Sequence, residues 1–421
     1  MSEARSLSVE QAQAAILSET VAVRETEKLA LGDALDRVLA ADVVSPIDVP
    51  PCDNAAMDGW ALRGGDLAAP AGLREVGCAF AGRAYEGRVA SGECVRIMTG
   101  APMPSGADSV VMQESAHYVE GVEGADGLVA IAPGQRPGQH VRRAGEDLRR
   151  GAVALAAGTR MNAATLGLAA SLGLGEISVF RRLRVAVLST GDELRSPGEA
   201  LAPGDIYDSN RHTLLALLQR LGCETQDLGV VADDPRLLEA ALCQAASSSD
   251  ALITSGGVSA GDHDFTRELL SRLGEVRFWN IAMRPGRPMA FGRLRHGPHG
   301  GHGHSGCLMF ALPGNPVATA VTYLQFARPA LLRMMGCVPA APLLLRARAR
   351  HAIAKKPGRA EYQRGIIHRD DQGSSVSLTG QQGSAMLSSL CHADCLVVLG
   401  HEQGDIAAGD WVDVQLLHGL L

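Results

Sequence analysis

Leu252 to Asp264 reads Leu-Ile-Thr-Ser-Gly-Gly-Val-Ser-Ala-Gly-Asp-His-Asp. The apolar run Ala251 to Ile253 predicts a buried strand, which Ser255, Gly256 and Gly257 break abruptly. Asp264 stands just before Phe265, Leu269, Leu270 and Leu273, apolar positions at helical spacing. A strand, a Gly-rich turn and a capped helix leave free backbone N–H groups where a phosphate can sit. Asp262 and Asp264 would repel a bare phosphate. They make sense where a divalent cation lies between carboxylate and phosphate, since a hard cation takes oxygen ligands from both. The stretch therefore predicts a magnesium-assisted nucleotide or phosphate site on an α/β domain.

The neighbouring segments repeat the pattern. Arg184-Val-Ala-Val-Leu-Ser-Thr predicts a buried strand, followed by Gly191-Asp-Glu-Leu. Leu214, Leu217, Leu218 and Leu221 lie on one helix that stops at Gly222. Asp234-Pro235 opens another helix, running to about residue 246. Strands near 224–230, 250–254 and 307–312 alternate with these helices, which predicts a mostly parallel sheet covered on both faces. Ligands on such sheets bind at the carboxyl ends of strands. Glu193, Asp233 and the turn from Ser255 to Asp264 all fall there and can converge. Asp234 and Asp264 are equally well placed as helix caps, a role compatible with ligation.

Ser8 and Gln11 form a capping-box pattern for a first helix, and a second helix is expected from Asp33 to Ala40. Short alternating runs from Asn54 to about residue 139 predict a small β-rich domain, and the alternation after Pro342 predicts an all-β C-terminal domain. The expected division is 1–45 with 141–178 as a discontinuous N-terminal helical domain, and 46–140 as the β-rich domain. Residues 179–328 form the central α/β domain and 329–421 the C-terminal, barrel-like β domain. The tract His296-Gly-Pro-His-Gly-Gly-His-Gly-His falls between two strands and is expected to be a flexible insertion rather than an organised metal site.

A chain of 421 residues exceeds one ordinary core. A net charge of −7 argues against general nucleic-acid binding or attachment to anionic membranes, so an anionic ligand needs a local arginine cluster. The nine cysteines show no metal-type spacing, and no apolar run is long enough to span a membrane. A cytoplasmic protein with reduced thiols is the expectation.

Seven segments then carry a resemblance. They are Met57-Asp-Gly, Met98-Thr-Gly-Ala-Pro, Arg143 to Asp147, Ser189-Thr-Gly-Asp-Glu-Leu, Ser255-Gly-Gly-Val-Ser, Pro285-Gly-Arg-Pro and Leu312-Pro-Gly-Asn-Pro. In this order they resemble the molybdopterin molybdenumtransferase (MoeA) family, bacterial relatives of the C-terminal domain of gephyrin. The resemblance implies a four-domain homodimer whose central domain binds molybdopterin and nucleotide. It implies insertion of molybdate into adenylylated molybdopterin, with AMP released in a Mg²⁺-dependent step. An upstream adenylyltransferase and recipient molybdoenzymes are the implied partners. Asp58, Thr99, Asp147, Glu193, Asp233 and Asp264 correspond to the family's functional polar positions, with Asp264, Asp233 and Glu193 as metal ligands. Ser255, Gly256, Gly257 and Ser259 match the adenylate-phosphate turn, and Arg284, Arg287, Arg359 and Ser384 the molybdate-binding set. Asp58 and Thr99 would face the partner chain's central domain.

Two departures stand out. Arg284-Pro-Gly-Arg replaces the family's usual Lys-Pro-Gly-Lys, keeping the charge and adding a planar fork suited to oxyanions. Trp60 replaces a usual Tyr, a change in packing. Two other readings share parts of the pattern: a molybdopterin adenylyltransferase, and a non-catalytic molybdopterin carrier or scaffold.

Overall fold

The computed structural model describes residues 6–68, 72–119, 128–256, 264–295, 306–338, 340–371 and 373–421. Gly257, Ser259, Asp262, the side chain of Asp264 and the His-Gly tract from His296 to His304 lie outside the described residues.

The central sheet has six strands in the order Glu224–Val231, Arg184–Thr190, Ala251–Ser255, Cys307–Leu312, Pro288–Leu294, Gly274–Asn280. The first four are parallel, and the last two add an antiparallel edge pair. Mixed sheets of this kind are common among doubly wound folds. Alternate residues enter opposite cores: Val185 and Val187 face one cluster with Ile253 and Phe310, while Ala186 and Leu188 face another with Leu252 and Met309. Burial on both faces explains why these strands read as unbroken apolar runs. Helices Ser209–Leu221, Pro235–Ser248 and Asp264–Leu273 follow strands as expected. The N-terminal helix Val9–Glu19 has its capping box and packs Val9, Ala12 and Ile16 into the first of these cores.

One expectation needs correction. The segment from Asp33 to Ala40 is not a helix: only a short 3₁₀ turn, Leu31–Asp33, is present. Beyond it the backbone is bonded to distant segments, Leu39 N–H to Thr159 C=O and Ala40 N–H to Ser178 C=O. Val38 and Leu39 enter different cores, a side-chain alternation that extended chain provides and a helix does not. The helical stretch that starts at Pro316 is interrupted. Pro316–Thr322 and Arg328–Met334 are joined by a π-turn, Tyr323–Ala327. Pro329 cannot donate to Gln325 C=O, and its ring would crowd that carbonyl in a regular helix. Gln13 Nε2 supplies the missing donor at 3.0 Å.

The β-rich sheet runs Ser109–Met112, Gly59–Leu62, Glu93–Ile97, Leu73–Ala79, Leu128–Ile131, Ala116–Val119. At the C-terminus five strands close on themselves, from Ala360–Asp370 through Gly373–Leu378, Leu344–Ala349 and Trp411–Leu416 to Cys395–Leu399, which pairs back with the first. This closed barrel removes sheet edges. The two-residue strand Met283–Arg284, from the central region, pairs with Ala360 and Glu361 on the barrel's rim. All nine cysteines are free thiols. Among the described residues no helix is long and apolar enough to cross a membrane.

Gly59 lies between two strands, and a Cβ there would stand 1.9 Å from Val111 C=O. Gly59→Ala is therefore expected to destabilise the β-rich domain by about 2–3 kcal/mol, read from its urea midpoint. An unchanged midpoint would contradict this packing.

Candidate active site at the strand ends and the barrel rim

The parallel strands end together. Thr190 is opposite Val231, Ser189 opposite Ser255, and Ser255 opposite Leu312. One helix N-terminus ties them. Asp208 caps Ser209–Leu221 and accepts Ser189 Oγ–H at 3.1 Å, while Asn210 Nδ2 donates to Ser255 Oγ at 2.8 Å and Gly314 C=O at 2.6 Å. Arg211 bridges Asp208 at 3.0 Å and Asp227 at 2.5 Å. Burial works against the Arg211 charge, but the Asp227 and Asp208 carboxylates outweigh it and raise the pKa above its ordinary value. Asp208, Asn210 and Arg211 were absent from the sequence-derived set. Their only signal was an Asp-Ser-Asn-Arg start to a helix.

Gly256 follows at φ 93°, where a Cβ would stand 2.6 Å from Thr190 C=O. Only glycine passes there without moving the neighbouring strand. Thr190 Oγ is buried beside this turn with no hydrogen-bond partner among the described residues. Glu193 is exposed, and its carboxylate folds back over Gly191, where an added Cβ would meet Oε2 at 2.7 Å. Asp192, another residue missed in the sequence, accepts the Asp233 N–H at 3.0 Å and so joins the loops carrying Glu193 and Asp233. Ser255, Gly256, Glu193 and Asp233 are thus brought to one end of the sheet, and the helix starting at Asp264 leaves from the same end. Among the described residues no three His, Cys, Asp or Glu form a ready metal cluster. Two loop carboxylates and an unpartnered buried hydroxyl nevertheless fit a hard, oxygen-seeking cation such as Mg²⁺.

A second group gathers at the barrel rim. Arg284 is in register with Glu361, which is buried and accepts Arg359 Nε–H at 2.9 Å and Gln363 Nε2–H at 2.9 Å. Arg284 and Arg287 are exposed and form no ion pair among the described residues. Gly286, between them, packs on Thr322, whose methyl would lie 2.5 Å from an added Cβ. Ser384 C=O accepts the Val317 N–H at 3.0 Å. The turn from Gly314 to Val317 therefore joins the strand-end group, through Asn210, to the basic group, through Ser384.

Asp58 and Thr99 form a third, separate pair. Asp58 Oδ1 accepts both the Thr99 N–H and the Thr99 hydroxyl at 2.7 Å. These bonds hold the Asp58 carboxyl below its ordinary pKa, the backbone N–H contributing most. Nearby Trp60 is buried, donates Nε1–H to Glu75 at 2.8 Å and carries the Arg96 guanidinium 4.5 Å above its ring. Asp147 is exposed in the turn paired with Val49, and its side chain has no hydrogen-bond partner among the described residues. Within one chain the bonds of Asp58 and Thr99 stay inside the β-rich sheet.

A glycine turn at parallel strand ends, linked through the Gly314–Val317 turn to a group with exposed arginines at the barrel rim, defines an α/β protein with a place for an anionic ligand. Comparison with known proteins gives the same class. Residues 7–173 match the MoeA N-terminal region (domains I and II), 186–333 a probable molybdopterin binding domain, and 346–417 the MoeA C-terminal region (domain IV). The chain is 40% identical to the molybdopterin molybdenumtransferase of Haemophilus influenzae over 417 residues, covering 99% of this chain and 100% of that one. It is 36% identical to molybdopterin molybdenumtransferase 2 of Mycobacterium tuberculosis over 399 residues, covering 91% and 93%. The crystal structure of the molybdopterin biosynthesis moeA protein from Pyrococcus horikoshii superposes with a TM-score of 0.79 at 26% identity, covering 98% and 100%. The chain belongs to the molybdopterin molybdenumtransferase family, enzymes of molybdenum cofactor biosynthesis.

Thr99→Val removes one of the two donors to Asp58. The Asp58 pKa, followed by NMR titration, should rise yet stay below an ordinary aspartate because the N–H bond remains. An unmoved pKa would show that the hydroxyl contributes nothing.

Proposed function

We propose that this protein inserts molybdate into adenylylated molybdopterin and releases AMP in a Mg²⁺-dependent step. The observation that carries the reading is the Gly314–Val317 turn, which is hydrogen-bonded to Asn210 at the strand ends and to Ser384 in the barrel-rim group, where Arg284 and Arg287 form no ion pair among the described residues. Phosphoanhydride and oxyanion can then lie next to one another, which the reaction requires.

The adenylate phosphate sits at Ser255 and Gly256, with Gly257 and Ser259, next in the sequence, as the further residues that bind it. Backbone N–H groups and the Thr190 hydroxyl face it. Asp264, Asp233 and Glu193 are the residues that would hold Mg²⁺, which offsets charge on the departing phosphate when bound. Arg284, Arg287, Arg359 and Ser384 take the molybdate. At 4 Å each cation–anion charge pair is worth about 1 kcal/mol in water and about 4 kcal/mol at an effective dielectric near 20, so partial burial at the rim matters. Water adds across the phosphoanhydride, breaking one P–O bond and separating AMP from the pterin phosphate. The freed dithiol then forms two Mo–S bonds, and its two protons leave with one molybdate oxygen as water. No enzyme nucleophile enters this scheme. Asp58, Thr99 and Asp147 act on the pterin from the β-rich side, and a homodimer would supply the first two from the partner chain.

Asp264→Asn is expected to slow AMP release from adenylylated molybdopterin by about 100-fold or more, since a ligand carboxylate at the leaving group is lost. Release at the unaltered rate would remove Asp264 from this role. Consumption of ATP with molybdopterin alone would instead assign the protein to the adenylylation step.

A further inference from the structure

The outer wall of the C-terminal barrel bears a row of arginines that the strand-end chemistry does not use. From Leu344 to Lys356 the sequence has five Arg or Lys residues and no acid, although the whole protein has 46 Asp and Glu against 39 Lys and Arg. Alternation along the strand Leu344–Ala349 decides where the charges go. Ala347 and Ala349 are buried in the barrel core, so Leu344, Arg346 and Arg348 face outward, and Arg350 continues the row as an exposed residue. This strand is not the one that meets the central domain. Ala360–Asp370 pairs with Met283–Arg284, and Gly373–Leu378 stands between it and the arginine strand.

Neighbouring groups hold the guanidinium of Arg348 in place. Trp411, 46% exposed on the adjacent strand, lies opposite Arg348 and carries its guanidinium 4.4 Å from the ring centre, with that of Arg346 at 5.9 Å. Arg348 Nη1 also donates to Gly409 C=O at 2.9 Å. On its other side Arg348 is in register with Ser375, whose Oγ is buried without a hydrogen-bond partner among the described residues. Among the described residues one carboxylate reaches the row: Asp413, 3.4 Å from Arg346, with both side chains open to solvent. Such a pair is worth little and exchanges readily for another carboxylate. Arg348 and Arg350 have no acidic partner among the described residues.

We propose that this wall is a docking surface for an extended acidic segment of a partner protein, with carboxylates at alternate positions seated on Arg346, Arg348 and Arg350 and an apolar residue beside exposed Leu344. Side chains on one side of an extended peptide repeat at about 6.8 Å, as the arginines do, so three carboxylates meet three guanidinium groups in step. Each planar fork can donate two parallel bonds to a carboxylate. An arginine already stacked on Trp411 loses less freedom on binding than a free one. Single-stranded nucleic acid fits less well, because its bases need an open aromatic face and Arg348 already covers the Trp411 ring. The surface is separate from the strand-end site and does not depend on the reaction proposed there.

Fluorescence anisotropy of a labelled peptide, Leu-Ser-Glu-Ser-Glu-Ser-Glu, titrated with the purified full-length protein tests it. Saturable binding is expected at low salt, weakening about tenfold or more at high salt and by a similar factor when Gln replaces each Glu of the peptide. Arg348→Gln and Arg350→Gln should each weaken binding about fivefold or more. Arg350 has no side-chain partner among the described residues, so its variant changes the surface without disturbing the fold. Arg83→Gln, at an exposed arginine of the β-rich domain, should leave the affinity unchanged. Absence of binding at low salt, or full affinity in the Arg348→Gln and Arg350→Gln proteins, would overturn the assignment. A labelled oligothymidylate that binds more tightly than the peptide, and is lost in the same variants, would give the wall to nucleic acid and overturn it too.

Discussion

Three residues at one helix start, Asp208, Asn210 and Arg211, tie together three parallel strands of the central sheet and the turn that follows the fourth. Asp208 takes the Ser189 hydroxyl, Arg211 reaches Asp227, and the Asn210 amide spans Ser255 and the Gly314 carbonyl. Ser189, Asp208, Asn210 and Ser255 are buried, so each bond lost among them would leave a partner unsatisfied at about 1–3 kcal/mol. The network therefore fixes the loops above it more firmly than loop sequence alone could. Gly256 can approach Thr190 closely because that frame is rigid, and the Glu193 and Asp233 loops are joined through Asp192 on the same foundation.

The charge distribution follows a compatible logic. The protein carries a net charge of −7, yet arginines gather where the barrel rim meets the central domain. Glu361 neutralises Arg359, whereas Arg284 keeps its charge without an ion-pair partner among the described residues. An acidic protein can thus concentrate an oxyanion at one place without becoming a general polyanion binder. The Gly314–Val317 turn links this group to the strand ends, through Ser384 on one side and Asn210 on the other.

Periodicity made the central domain legible because its strands are buried on both faces and its helices begin at plain caps such as Asp234. The closed C-terminal barrel was legible only as alternation. Its closure depends on pairing between Ala360–Asp370 and Cys395–Leu399, which no local pattern records. The expected helix at Asp33 to Ala40 failed because Val38 and Leu39 are claimed by two different cores, a tertiary demand that overrides spacing. Of the site, motif positions such as Glu193, Asp233 and Arg284 could be named from residue type and order. The residues that hold them could not. Asn210 reads as an ordinary helix opening, because burial of a polar group is invisible until the fold exists.

The central claim is that strand-end carboxylates and the glycine turn hold a nucleotide phosphate through a divalent ion. Calorimetric binding of AMP to the purified protein, with and without Mg²⁺, tests it most directly. The account predicts binding about tenfold or more tighter with the ion present, since unscreened carboxylates repel the phosphate in its absence. Equal affinity under both conditions would contradict it.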